Sequence, residues 1–186
     1  MALLRFCCAA IVLAAMALPW GSPAHALAAA PTEYQVKAAF LFNFTQFVDW
    51  PPSAFADDGA PLVIGVLGQD RFGADLDEIV RGESVRGRPL VVRRYERVED
   101  IGPCHILFVD RSESERLDRV LPRLSGRSIL TVGEFGGFAR RGGMIQFATV
   151  GNRIQLRVNL QAARAADLEI SSKLLRPARI VTSGED

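Results

Sequence analysis

The stretch Leu62-Val-Ile-Gly-Val-Leu67, with Gly68-Gln-Asp70 after it and then Phe72, Leu76, Ile79 and Val80, decides the fold class. An unbroken apolar run bounded by a turn reads as a strand covered on both faces. The apolar residues that follow recur at helical spacing, and Gly82 stands where a helix C-terminus is closed. The same rhythm then repeats. Leu90 to Tyr95 reads as a second strand, whose Arg93 and Arg94 suit a sheet edge. Val98 to Ile101 has room for one helical turn, and Cys104 to Val109 reads as a third, fully buried strand. Ser112 and Glu115 have capping-box spacing ahead of Leu117, Val120, Leu121 and Leu124, a helix that Pro122 should kink or shorten. Ser128 to Val132 is a fourth strand. Strand and helix in alternation predict an α/β domain with a mainly parallel sheet flanked by helices.

Downstream the pattern changes. Gly133 to Gly143 is rich in glycine and arginine, too irregular for one element. Met144 to Val150 and Arg153 to Val158 flank Gly151-Asn152, the signal of a two-residue hairpin. That loop length fixes the register: Val150 opposite Arg153, Thr149 opposite Ile154, Phe147 opposite Leu156, and Ile145 opposite Val158. The domain is therefore expected to be a Rossmann-like three-layer sandwich ending in an antiparallel hairpin. Asn159 is suited to cap a helix reaching Ala166, and Ser171 to Arg176 reads as a last short helix before Pro177. Upstream, Glu33 to Asp49 reads as a helix with Val36, Phe40, Asn43, Phe44 and Phe47 on its apolar face. Trp50-Pro51-Pro52 ends it, and Phe42 is expected on the opposite, polar face.

The first residues have the form of a secretory signal. Arg5 precedes an uncharged apolar run from Phe6 to Leu18, and Ala24-His25-Ala26 fits a cleavage site, with a second at Ala28-Ala29-Ala30. The run is shorter than the ~20 residues needed to span a bilayer. A signal over 1–26, with cleavage as late as 30, leaves a single domain over 31–182 destined for the periplasm. Its basic and acidic residues balance once Arg5 is removed, which gives no electrostatic case for nucleic acid. Cys7 and Cys8 leave with the signal, so Cys104 remains as an unpaired thiol in an oxidising compartment.

Catalytic chemistry finds little support. His105 is the sole histidine after Ala26, and on a strand it points away from its neighbour Cys104. The two cannot form a nucleophile–base pair. No cluster has metal-ligand spacing, and Gly65, Gly68 and Gly73 do not form a nucleotide loop. Asp70 and Asp110 end strands and read as helix caps. The domain is read as a non-enzyme without cofactor or metal. Two arginine groups remain as anion or ligand candidates: Arg93 and Arg94 (with Arg86, Arg88 and Arg97 nearby), and Arg140 with Arg141.

Several segments together resemble the YfiR-like family. They are Tyr34-x-x-Lys37-Ala-Ala-Phe-Leu-Phe-Asn-Phe44 with Phe47-Val-Asp-Trp50-Pro51, Ile64-x-Val-Leu-Gly68 with Phe72-Gly73, and Cys104-His-Ile-Leu-Phe108. Gly137-Phe138 with Gly142-Gly143-Met-Ile, Val158-Asn159, and Ile170-Ser-Ser-Lys-Leu-Leu175 follow in order. The resemblance implies a periplasmic, non-catalytic α/β protein that represses an inner-membrane diguanylate cyclase of the YfiN type by binding its periplasmic domain. It would thereby lower cyclic di-GMP and biofilm formation. Under that reading Lys37, Phe42 and Asn43 on the first helix, and Ser171, Ser172, Lys173 and Arg176 in the tail, are the expected partner-binding residues. A homodimer is compatible with it. The alternative is a periplasmic small-ligand-binding protein that signals through another partner. The family often carries a cysteine in the first strand that would pair with Cys104, and a second pair further on. Here Gly65 occupies the first position, and Gly133 to Asn159 holds no cysteine.

Overall fold

A computed structural model of the chain describes residues 30–151 and 153–184. The signal expected over 1–26 lies outside the described residues. The helices are α1 (Glu33–Phe47), α2 (Ala74–Val80), α3 (Leu117–Leu124), α4 (Leu160–Ala165) and α5 (Ser172–Leu175). The strands are β1 (Val48–Asp49), β2 (Leu62–Leu67), β3 (Ser84–Val85), β4 (Arg88–Tyr95), β5 (Ile106–Val109), β6 (Leu130–Gly133), β7 (Ile145–Val150), β8 (Arg153–Val158), β9 (Glu169–Ile170) and β10 (Arg179–Ile180).

The main sheet runs β10-β8-β7-β6-β5-β2-β4-β3. From β4 to β7 every pairing is parallel; β8 returns antiparallel to β7. The apolar run 62–67 is buried at every position because it feeds two cores. Ile64, Val66, Ile106 and Phe108 face α1, α2 and α4, while Leu67, Leu107 and Val109 face α3 on the other side. Sandwich and hairpin are as the sequence predicts, down to the pairs Phe147–Leu156 and Ile145–Val158. Asn159 caps α4, its Oδ1 accepting from the Ala162 N–H at 3.0 Å.

Three local expectations are corrected. The first helix stops at Phe47, because Val48 and Asp49 leave it to pair with Ile170 and Glu169 of β9. Its buried face is Lys37, Ala38, Leu41, Phe44 and Thr45, while Asn43 is exposed. Phe42 is half-buried against the core rather than on a polar face. A helix with aromatic residues nearly all round has no periodicity sharp enough to fix its rotation. Before α3 the cap is Asp110, whose carboxylate accepts from the Ser112 N–H at 2.8 Å. Six residues, Arg111–Arg116, then form tight helical turns where the capping box was expected.

The glycine-rich segment has a packing cause. It wraps the fully buried ring of Phe138, and a methyl group on Gly133 or Gly143 would overlap that ring. Polar groups close the loop: Gln146 Oε1 accepts from the Ala139 N–H at 3.3 Å, and Asn159 Nδ2 donates to the Ala139 carbonyl at 2.9 Å.

Candidate functional site

The two segments expected to bind a partner lie far apart in sequence and meet through β1 and β9. Phe47 O, at the end of α1, accepts from the Ser171 N–H at 2.8 Å. Ser171 then starts α5, its Oγ accepting from the Lys173 N–H at 3.3 Å. Leu174 anchors α5 in the core, which leaves Ser172, Lys173 and Arg176 exposed. Asn43 is exposed one helical turn before Phe47, so it borders the same junction. Helices α1 and α5 are in contact. Ser171 and Phe42 are half-buried.

Lys37 is a correction. Its side chain is 1% exposed and offers nothing to a partner. The ammonium is 2.5 Å from Glu134 Oε2 and 2.6 Å from Glu33 Oε1, and lies over the Tyr34 ring at 4.6 Å. Glu134 directly follows β6 and also accepts from Tyr34 Oη at 2.9 Å and Arg111 Nε at 2.9 Å. Burial pushes its carboxyl up, but the hydrogen bonds from Lys37 and Arg111 outweigh that and hold it below the ordinary range. Burial and the neighbouring carboxylate together push the Tyr34 hydroxyl pKa up.

This cluster sits at the carboxyl ends of parallel strands, beside the place where β2 lies between β4 and β5 and the strand order reverses, a usual ligand position in open α/β sheets. Arg71 Nε reaches the buried Asp110 at 3.1 Å, and Asp70 Oδ1 accepts from the Phe72 N–H at 2.8 Å. Sequence reasoning missed Glu134. Its signal was an acid just beyond a parallel strand, as Asp70 and Asp110 are beyond theirs.

The arginine candidates do not converge. Arg93 and Arg94 are on β4 and Arg140 and Arg141 follow β6, with β5 and β2 between those strands. Arg94 is bound to Asp70 at 2.7 Å and to Asp77 at 2.5 Å, while Arg93 is exposed on the opposite face. Arg141 reaches Asp118 at 3.0 Å, and the carbonyl of half-buried Arg140 accepts from the Gly184 N–H at 3.1 Å.

His105 and Cys104 diverge. His105 Nδ1 accepts from the Val63 N–H at 3.0 Å, which makes Nε2 the donor to the Ala54 carbonyl at 3.1 Å. Burial lowers its pKa to about 4. Cys104 is a free buried thiol, which burial pushes up to about 12. Both are built into the core rather than poised for chemistry. Among the described residues no group of His, Cys, Asp and Glu is placed to hold a metal, and no helix is long and apolar enough to cross a membrane.

No curated protein matches the chain. Residues 34–179, nearly the whole described region, match the YfiR/HmsC-like family, and the match spans α1, both sides of the sheet and α5. The chain therefore belongs to the YfiR/HmsC-like family.

Proposed function

We propose that the protein is a periplasmic, non-catalytic regulator that docks on the periplasmic domain of an inner-membrane diguanylate cyclase and holds its output down. The family assignment supports the regulatory role. The observation that carries the docking surface is the junction of α1 with α5, fixed by the β1–β9 pair and the Ser171–Phe47 hydrogen bond. It gathers exposed Asn43, Ser172, Lys173 and Arg176 on a braced backbone, and such preorganisation lowers the entropy cost of binding. Lys173 and Arg176 give the patch a positive character suited to an acidic partner. Deleting the gene tests the reading in cells: cyclic di-GMP rises and falls again on complementation with the native chain. Unchanged cyclic di-GMP under conditions where the protein is made contradicts it.

A further inference from the structure

A cavity of about 270 Å³ opens between the end of α1 and the β3–β4 turn, lined by Thr45, Trp50, Phe55, Val85, Arg86 and Arg88 among others. Its aromatic wall is fixed in place. The Trp50 indole N–H donates to the His105 carbonyl at 3.1 Å, and the Phe55 ring stacks on the His105 imidazole at 4.3 Å. The imidazole is held at both nitrogens, so neither ring has freedom to fill the space.

Two guanidinium groups complete the lining. Arg88 lies over the Phe55 face at 3.8 Å, and its Nη1 donates to the carbonyls of Asp57 at 2.7 Å and Ala60 at 3.0 Å. Among the described residues no carboxylate pairs with it, so its charge stays uncompensated. Arg86 is the more telling residue. It occupies the first position of the two-residue turn between Val85 and Arg88, with φ +54, followed by Gly87 at φ +79. That turn calls for Asn, Asp or Gly, and a long side chain there is strained. Strain of this kind collects at functional sites. Here it holds a guanidinium at the cavity, where Arg86 reaches Asp49 at 2.5 Å. Asp58 is the carboxylate in the lining itself, and the Arg86–Asp49 pair is about half exposed, so it is weakly held against a competing anion.

We propose that this cavity is a binding site for a small organic carboxylate with a compact, flat apolar body, which packs against Trp50 while its anion meets Arg88 and takes the place of Asp49 in its exposed pair with Arg86. A cavity of this size, near the lower end of ligand pockets, excludes nucleotides. Guanidinium groups beside an indole favour a planar anion over a neutral isostere.

Trp50 reports on the site directly. The chain has two tryptophans, and W20F leaves Trp50 as the only emitter. Benzoate titrated into the full chain carrying W20F changes that emission saturably, and neutral benzamide binds about tenfold more weakly. Arg88→Gln and Arg86→Asn each weaken benzoate about fivefold or more. Arg86→Asn guards against misreading, since asparagine suits the positive φ and keeps or raises the melting temperature. Absence of a saturable response at tens of millimolar benzoate overturns the proposal. So does equal binding of benzamide, or benzoate binding unchanged in both variants. The assay needs no partner protein, so its failure leaves the docking reading untouched.

Discussion

Lys37 Nζ lies 2.5 Å from Glu134 Oε2, with both side chains 1% exposed, and this contact ties the first helix to the end of β6 across 97 residues of sequence. A buried ion pair of this kind is weak evidence of net stability, but removing one member leaves the other under-compensated: without Glu134, buried Lys37 keeps only the half-exposed Glu33. Here Glu134 is the better member to remove, because it also holds Tyr34 and Arg111.

Glu134→Ala is therefore expected to lower the unfolding free energy by about 3 kcal/mol, measured by urea denaturation at pH 7. The double variant Lys37→Met/Glu134→Leu recovers much of that loss, since it leaves no stranded charge. A Glu134→Ala chain as stable as the native one contradicts the clamp.

His105 gives the protein an acid-sensitive window. The folded state holds it neutral down to a pKa of about 4, whereas the unfolded chain takes up the proton near 6.5. Between those values the unfolded state binds more protons, so stability falls as pH drops from 6.5 towards 4, by on the order of 3 kcal/mol. Glu134, depressed in the folded state, acts in the same direction but only below its ordinary value near 4.5. Unfolding free energies in half-unit steps separate the two: His105→Gln flattens the upper part of the profile. A native profile flat from pH 7 to 5 contradicts the buried neutral imidazole.

The bridge that the resemblance implies between positions 65 and 104 is within reach of the Cys104 sulfur. A Cβ at Gly65 would lie 2.8 Å from Cys104 Sγ, close to the roughly 3 Å that separates a β-carbon from the far sulfur of a disulfide. Gly65→Cys is expected to oxidise, giving a cross-linked 65–104 peptide on mapping and a chain about 3–4 kcal/mol more stable than its own reduced form. Tyr95 at 2.8 Å and Leu107 at 3.0 Å must shift, so Gly65→Ala, with the same crowding and no bond, is destabilised by about 1–3 kcal/mol. A Gly65→Cys chain with both thiols free contradicts the placement.

In the sequence, the sheet was legible because strands 62–67 and 104–109 are apolar at almost every position, and the hairpin because a two-residue loop leaves one register. Asn159 was readable as a cap for the same local reason. Contacts between remote short segments were not. The β1 and β9 strands are two residues each, below any periodicity, so the junction that brings Phe47 to Ser171 carried no signal of its own. The segments themselves were found through family resemblance; their meeting had to be seen. Lys37 looked like a surface cation because its partner, Glu134, lies in a glycine-rich stretch with no pattern. Arg86 and Arg88 were noticed as part of a charge group, but the cavity they face depends on Trp50 and Phe55 being pinned by a histidine fifty-odd residues on.

The central claim is docking through the α1–α5 junction, and direct binding tests it most closely. The full chain is titrated by calorimetry against the purified periplasmic domain of the host's inner-membrane diguanylate cyclase. The native chain should bind saturably. Lys173→Glu/Arg176→Glu should weaken binding about tenfold or more while leaving the melting temperature almost unchanged, since both side chains are exposed. No binding by the native chain, or equal binding by the double variant, contradicts the account.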